Sequence, residues 1–127
     1  MLRTYIKTIL IVLGFGLSSC NSQTTEVITV VNEEEFNTLL ANNSNAQLID
    51  VRTVNEFNNG FINNAENIVY DINFKNKLEA LDKTKPVMVY CKSGGRSAKA
   101  SKILEAEGFK IVYDLDGGYD NYRKKAQ

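Results

Sequence analysis

The feature that most constrains this chain is one four-residue run, Val87-Met88-Val89-Tyr90, which ends directly on Cys91. A strand with one face in water alternates apolar and polar residues; this run is apolar on both faces, as a strand covered by helices on both sides must be. Pro86 enters it in extended conformation. Similar short runs recur at Val27–Val31, Gln47–Val51, Asn67–Tyr70 and Ile111–Asp114. Helix-like stretches separate them. Asn32 caps Glu33–Ala41, which has acidic residues in its first turn. Thr53-Val54-Asn55-Glu56 has capping-box spacing. Phe74–Leu81 and Ser97–Glu107 carry helical periodicity, Gly108 stops the latter, and Tyr119–Lys125 forms a last short helix. Strands alternating with helices predict an α/β fold with a parallel sheet.

Length and composition narrow the function. The chain has 127 residues, 43% hydrophobic and 24% charged, enough for one domain. Fifteen basic residues balance fifteen acidic ones, with no long basic stripe, so nucleic acid is not an expected partner. Histidine is absent. That removes the usual metal ligand and general base, and no metal or cofactor is expected. One small domain without an obvious exposed apolar stripe reads as a monomer.

Residues 1–19 read as a signal peptide: Arg3 and Lys7, an apolar run of nine residues from Ile9 to Leu17, then Ser18 and Ser19. The run is too short for a spanning helix, which needs about 20 residues. Leu17-Ser18-Ser19-Cys20 resembles a bacterial lipobox. The resemblance implies cleavage before Cys20, a thioether lipid on its sulfur, and a polar tether through residues 20–26. The expected location is the bacterial cell envelope, on the periplasmic side, membrane-bound through the lipid. The folded domain is then 27–127. With Cys20 lipidated, Cys91 has no intramolecular partner and is a candidate reactive thiol.

The segment Cys91-Lys92-Ser93-Gly94-Gly95-Arg96-Ser97 joins a strand to a helix. Ligands in parallel α/β folds bind beyond the carboxyl ends of strands, where Cys91 stands. Gly94 and Gly95 permit the positive φ values of a tight cradle of N–H groups. The following helix points its positive end at the same place, and Lys92 and Arg96 add charge. All these effects favour thiolate over thiol. Such a thiolate suits attack on the outer sulfur of thiosulfate or a similar anion, giving a persulfide that a second nucleophile, a thiol or cyanide-like acceptor, discharges. The plainer reading makes Cys91 a buried apolar residue beside a turn. Lys92 binds the donor or is merely solvated. Asp50, Arg52 and Glu56 lie near the site as substrate ligands or, preferably, as scaffold, with Arg52 and Glu56 spaced to pair. Asp114 and Asp116 read as exposed residues at a strand end rather than a carboxylate pair.

At this point the sequence resembles the rhodanese family, over about Val27 to Tyr122. Leu48-Ile49-Asp50-Val51-Arg52 with Glu56-Phe57, Gly60-Phe61-Ile62 and Ala65 looks like its first signature. Cys91–Ser97 looks like its active-site loop, and Gly117-Gly118-Tyr119 with Tyr122 like its C-terminal signature. The resemblance implies a five-stranded parallel sheet with helices on both faces. It assigns a persulfide to Cys91, an anion cradle to the backbone of Lys92 through Arg96, and an orienting role to Arg96. Four residues separate Cys91 from Arg96, giving the six-residue loop of sulfurtransferases; related cell-cycle phosphatases and arsenate reductases have seven. The chain departs from the family at Phe61, often His, and Tyr122, often Trp. A non-catalytic module that binds a partner or senses sulfur or oxidants is the alternative function.

Overall fold

The computed structural model describes residue 16 and residues 18–125. The signal peptide expected over 1–19 lies outside the described residues apart from 16, 18 and 19. Residues 18–26 form no helix or strand and are exposed, Cys20 included.

The regular elements are β1 (Ile28–Val31), α1 (Glu33–Asn42), β2 (Gln47–Asp50), α2 (Val54–Asn58), β3 (Glu66–Asn67), α3 (Phe74–Lys77), β4 (Val87–Tyr90), α4 (Gly95–Ala106), β5 (Val112–Leu115) and α5 (Gly118–Lys125). The strands form one sheet in the order β1-β5-β4-β2-β3, and every pairing is parallel. The fold is thus α/β with helices on both faces. The all-apolar run became the central strand: β4 is buried along its whole length, with β5 on one side and β2 on the other.

Strand alternation sends successive side chains to opposite layers. Val87, Val89 and Cys91 join Ile49, Val51 and Val112 in the layer covered by α4 (Ala100, Leu104) and α3 (Phe74). Met88, Tyr90, Leu48 and Leu115 face the other way, against Phe36 of α1 and Tyr119 and Tyr122 of α5. Full burial of a Leu, Val or Phe side chain contributes about 1.5–3 kcal/mol. These two layers are therefore the main source of stability.

Local chemistry starts the helices. Asn32 accepts a hydrogen bond from the Glu35 N–H at 2.9 Å. At Thr53 the capping box is complete: Thr53 Oγ1 accepts from Glu56 N–H, and Glu56 Oε1 accepts from Thr53 N–H, both at 3.2 Å. Several boundaries differ from expectation. The third strand is only Glu66–Asn67, although Ile68 N–H and Tyr70 N–H still donate to the carbonyls of Asp50 and Val51, each at 2.9 Å. The helix expected over Phe74–Leu81 is one α-turn followed by a 3₁₀ turn, Leu78–Ala80. The fourth helix starts at Gly95, two residues early. Of the two adjacent loop glycines, Gly94 has positive φ (116°) and Gly95 is already helical.

The parallel register places the carboxyl ends of β2, β4 and β5 side by side: Asp50 opposes Tyr90, and Val89 opposes Asp114. Asp50, Cys91 and Asp114 therefore all lie at the carboxyl end of the sheet.

Candidate active site

Cys91 is the first residue after β4, and the chain turns back over it through Lys92–Gly94 into α4. Its side chain is 1% exposed and packs on one side against the apolar layer. On the other side Gly94 N–H donates to its sulfur at 3.0 Å, and the Ser97 hydroxyl lies 3.5 Å away in hydrogen-bonding geometry. Burial alone pushes the Cys91 thiol up. The Ser97 hydroxyl and the backbone N–H groups of Ser97, Gly94 and Ser93 outweigh burial, and the pKa falls below the ordinary value. The sulfur is buried, yet it accepts a backbone hydrogen bond as well as packing against apolar side chains.

The turn depends on a φ of 116° at Gly94, where a side chain would be strained. It is also held from behind. Tyr119 N–H and Asp120 N–H, at the start of α5, donate to the carbonyls of Cys91 (2.8 Å) and Lys92 (3.0 Å). That approach requires glycine at 118: a Cβ there would stand 2.5 Å from the Cys91 carbonyl oxygen.

The charged residues divide differently from the sequence expectation. Arg52 does not pair with Glu56. It is buried, donates to both oxygens of Asp50 (closest 2.7 Å) and to the Gly60 carbonyl (2.6 Å), and stacks over Tyr119 at 4.2 Å. Burial opposes its charge; the hydrogen bonds and charge of Asp50, with help from Tyr90, prevail and raise its pKa. The pair is scaffold that ties β2 to the loop before β3 and to α5. Glu56 instead pairs with Arg96, 40 residues along the chain, in two parallel hydrogen bonds of 2.7 and 3.0 Å. Spacing of four suggested a local pair; Arg52 is instead held by Asp50 and Gly60, and Arg96 at the α4 start takes Glu56.

Arg96 is thus a clamp on the loop, and its charge also favours an anionic Cys91. Lys92 and Ser93 are exposed at the rim. Lys92 lines a pocket of about 190 Å³ with Arg52, Asn59, Tyr119 and Arg123. Asp114 corrects a second expectation: it is 4% exposed and buried, and only Asp116 is exposed. Alternation puts Asp114 on the face of Val112, under α4. That pattern was the available sequence signal. At the two positions of departure, Phe61 stacks on Phe57 (centroids 4.2 Å) and Tyr122 on Tyr119 (6.5 Å).

Fold and site together define an α/β protein built around a thiol cradled at a strand–helix junction. The Rhodanese-like domain model matches residues 32–125. The chain belongs to the rhodanese-like domain family. A tRNA uridine(34) hydroxylase of Pelagibacter ubique is 51% identical over 51 residues, covering 40% of this chain and 17% of that protein. Thiosulfate sulfurtransferase GlpE of Pseudomonas fluorescens is 38% identical over 55 residues, covering 43% of this chain and 50% of that enzyme. The chain spans half or less of the length of these curated relatives. Among solved structures, a rhodanese-like domain protein from Staphylococcus aureus superposes with a TM-score of 0.64 at 31% identity, over 71% of this chain and 86% of that one.

The clamp has a defined acid response. Arg96 is the main cause that holds the Glu56 carboxyl down at about 2, against an ordinary 4.5, and the Thr53 cap assists. A depressed carboxylate contributes stability that is complete above pH 4.5 and disappears as pH falls through 2. Glu56→Gln keeps the cap acceptor and removes the charge. Because the pair is about one-third exposed, its loss should cost about 1 kcal/mol at pH 7. Urea unfolding of both proteins should show that difference at neutral pH and its disappearance near pH 2.

Proposed function

We propose that this chain is a sulfurtransferase that moves sulfane sulfur from thiosulfate or a similar small anion to a thiophilic acceptor through a Cys91 persulfide. The observation that carries the reading is the Gly94 N–H that donates to the Cys91 sulfur at 3.0 Å, with the Ser97 hydroxyl 3.5 Å away and a thiol pKa that falls although burial opposes it. The partial likeness to enzymes named thiosulfate sulfurtransferases supports it.

In the first half-reaction the Cys91 thiolate attacks the outer sulfur of thiosulfate. A new S–S bond forms on Cys91, the S–S bond of the donor breaks, and sulfite departs with the electron pair. The persulfide keeps one negative charge inside the cradle, whose donors are already oriented. In the second, an acceptor such as cyanide or a thiolate attacks the terminal sulfur. That sulfur leaves on the acceptor, and the pair of the broken bond restores the Cys91 thiolate. The lowered thiol pKa favours the thiolate nucleophile without a histidine base. The low exposure of Cys91 favours a second reading, a non-catalytic module whose sulfur reacts without turning over.

Incubation with thiosulfate should add one sulfur atom to the Cys91 peptide, read by mass spectrometry, and cyanide should then release thiocyanate. Cys91→Ser should reduce both to background. An unmodified Cys91 would exclude the transfer reading, and a persulfide that cyanide cannot discharge would leave the non-catalytic module.

We also propose that Cys20 carries a lipid anchor at the cell envelope, with residues 21–26 as tether. The order of basic residues, apolar run, small residues and cysteine supports this, as does the exposure of Cys20 outside the folded layers. When the chain is expressed in a bacterial host, detergent phase separation should recover it in the detergent phase. Cys20→Ser should move it to the aqueous phase; equal partitioning of the two would contradict the anchor.

A further inference from the structure

The pocket that Lys92 lines borders the cradle loop, and the proposed transfer gives it no role. Its walls are tied to the loop at both ends. Lys92 follows Cys91, and Glu56 holds Arg96 in two hydrogen bonds. Tyr119 and Asp120 donate backbone N–H groups to the carbonyls of Cys91 and Lys92. Cys91 itself is 1% exposed, so an acceptor has to approach from a space that borders this loop. Persulfidation places the transferable sulfur about 2 Å beyond the buried one. At about 190 Å³ the pocket is smaller than the roughly 300–1,000 Å³ of drug-sized sites, and it suits a molecule of few atoms.

Five charged side chains line it. Two are already neutralised: Arg52 by Asp50 and Glu56 by Arg96, each pair at 2.7 Å. The other three, Lys92, Asp120 and Arg123, form no ion pair among the described residues. Asp120 and Arg123 stand three apart on α5, a spacing that allows a pair, yet they line the pocket unpaired. The pocket therefore offers one free carboxylate and two free cations. A simple anion satisfies the cations and meets repulsion at Asp120. A molecule with both an ammonium and a carboxylate satisfies all three.

We propose that this pocket is the acceptor subsite of the Cys91 persulfide and takes a small amino thiol, its ammonium on Asp120 and its carboxylate between Lys92 and Arg123. The transfer step rests on the persulfide reading above; the binding does not. The acceptor thiol gives its proton to solvent, and its thiolate attacks the terminal sulfur. The S–S bond on Cys91 breaks, its electron pair returns to Cys91, and the amino thiol leaves as a persulfide. Two charged ends and one reacting sulfur fix three points, so the site distinguishes mirror images of the acceptor.

The test uses the full-length chain, persulfidated with thiosulfate, and follows loss of the terminal sulfur from the Cys91 peptide by mass after one thiol is added. Cysteine carries both charged ends, cysteamine the ammonium, 3-mercaptopropionate the carboxylate, and 2-mercaptoethanol neither. Rates are taken relative to 2-mercaptoethanol within each protein, so that any change in Cys91 itself cancels. Asp120→Asn should lower the ratio for cysteine and cysteamine about three- to fivefold, the size of a partly exposed ion pair. Arg123→Gln should do the same for cysteine and 3-mercaptopropionate. L- and D-cysteine should react at different rates with wild type, and both variants should narrow the difference. DL-serine, with the same ends and no thiol, should shift the amide NMR signals of Asn59, Lys92 and Asp120. Ratios that neither variant alters overturn the proposal. So do equal rates for L- and D-cysteine, which would mean general surface attraction. If a variant fails to fold, the comparison of enantiomers and the DL-serine titration of wild type decide. DL-serine shifts without any persulfide on Cys91 would sink the sulfurtransferase reading and leave the pocket as an amino-acid site. A persulfide that all four thiols discharge alike would sink this inference and leave that reading.

Discussion

The hydrogen bond from Gly94 N–H to the Cys91 sulfur, 3.0 Å long, is the contact around which the rest of the site is arranged. It requires a strand that ends at the sulfur, a residue at 94 that tolerates a left-handed φ, and a helix that begins immediately afterwards. β4 supplies the first because it is buried on both faces and cannot shift register without exposing apolar side chains. Gly94 supplies the second. α4 supplies the third, and its first turn sets the Ser97 hydroxyl 3.5 Å from the same sulfur. A donor fixed beside a buried thiol favours the thiolate, because water cannot compete with it there.

Three contacts hold that loop in place. Arg96 and Glu56 join the α4 start to α2. The first N–H groups of α5 bind the carbonyls of Cys91 and Lys92 from behind. Asp50 and Arg52, buried beneath Tyr119, fix the floor on which α5 rests. The last is a buried ion pair, and such pairs add little net stability against an apolar replacement. Here its geometry is what counts: four donor contacts orient Arg52 toward Asp50 and Gly60, leaving its ring-facing side to Tyr119. Lys92 and Arg123, both exposed, line the neighbouring pocket together with Glu56 and Asp120.

Much of this was legible in the sequence, for local reasons. The four apolar residues of β4, the Asn32 cap and the Thr53–Glu56 box depend on neighbours within a few positions, so the chain declares them directly. The cradle was legible because its donors are backbone groups of the same loop. Partners chosen across the fold were not. Glu56 has Arg52 at helical spacing and Arg96 40 residues away, and only the sheet register reveals which guanidinium reaches it. Asp114 followed two apolar-rich positions at a strand end and read as solvated. Its burial comes from α4 lying over β5, a tertiary fact. The shortness of β3 likewise goes with contacts across the fold: Asn67 Nδ2 donates to the carbonyls of Asp50 and Arg52, where β2 ends.

All of the chemistry rests on Cys91 entering the reaction as an anion. Ultraviolet absorbance of the thiolate, recorded through a pH titration as the difference between wild type and Cys91→Ser, measures that directly. Cys91 should ionise below the ordinary thiol range, as its donors dictate. Ionisation at or above that range would mean that burial outweighs the loop N–H groups, and the cradle would then be packing without chemical consequence.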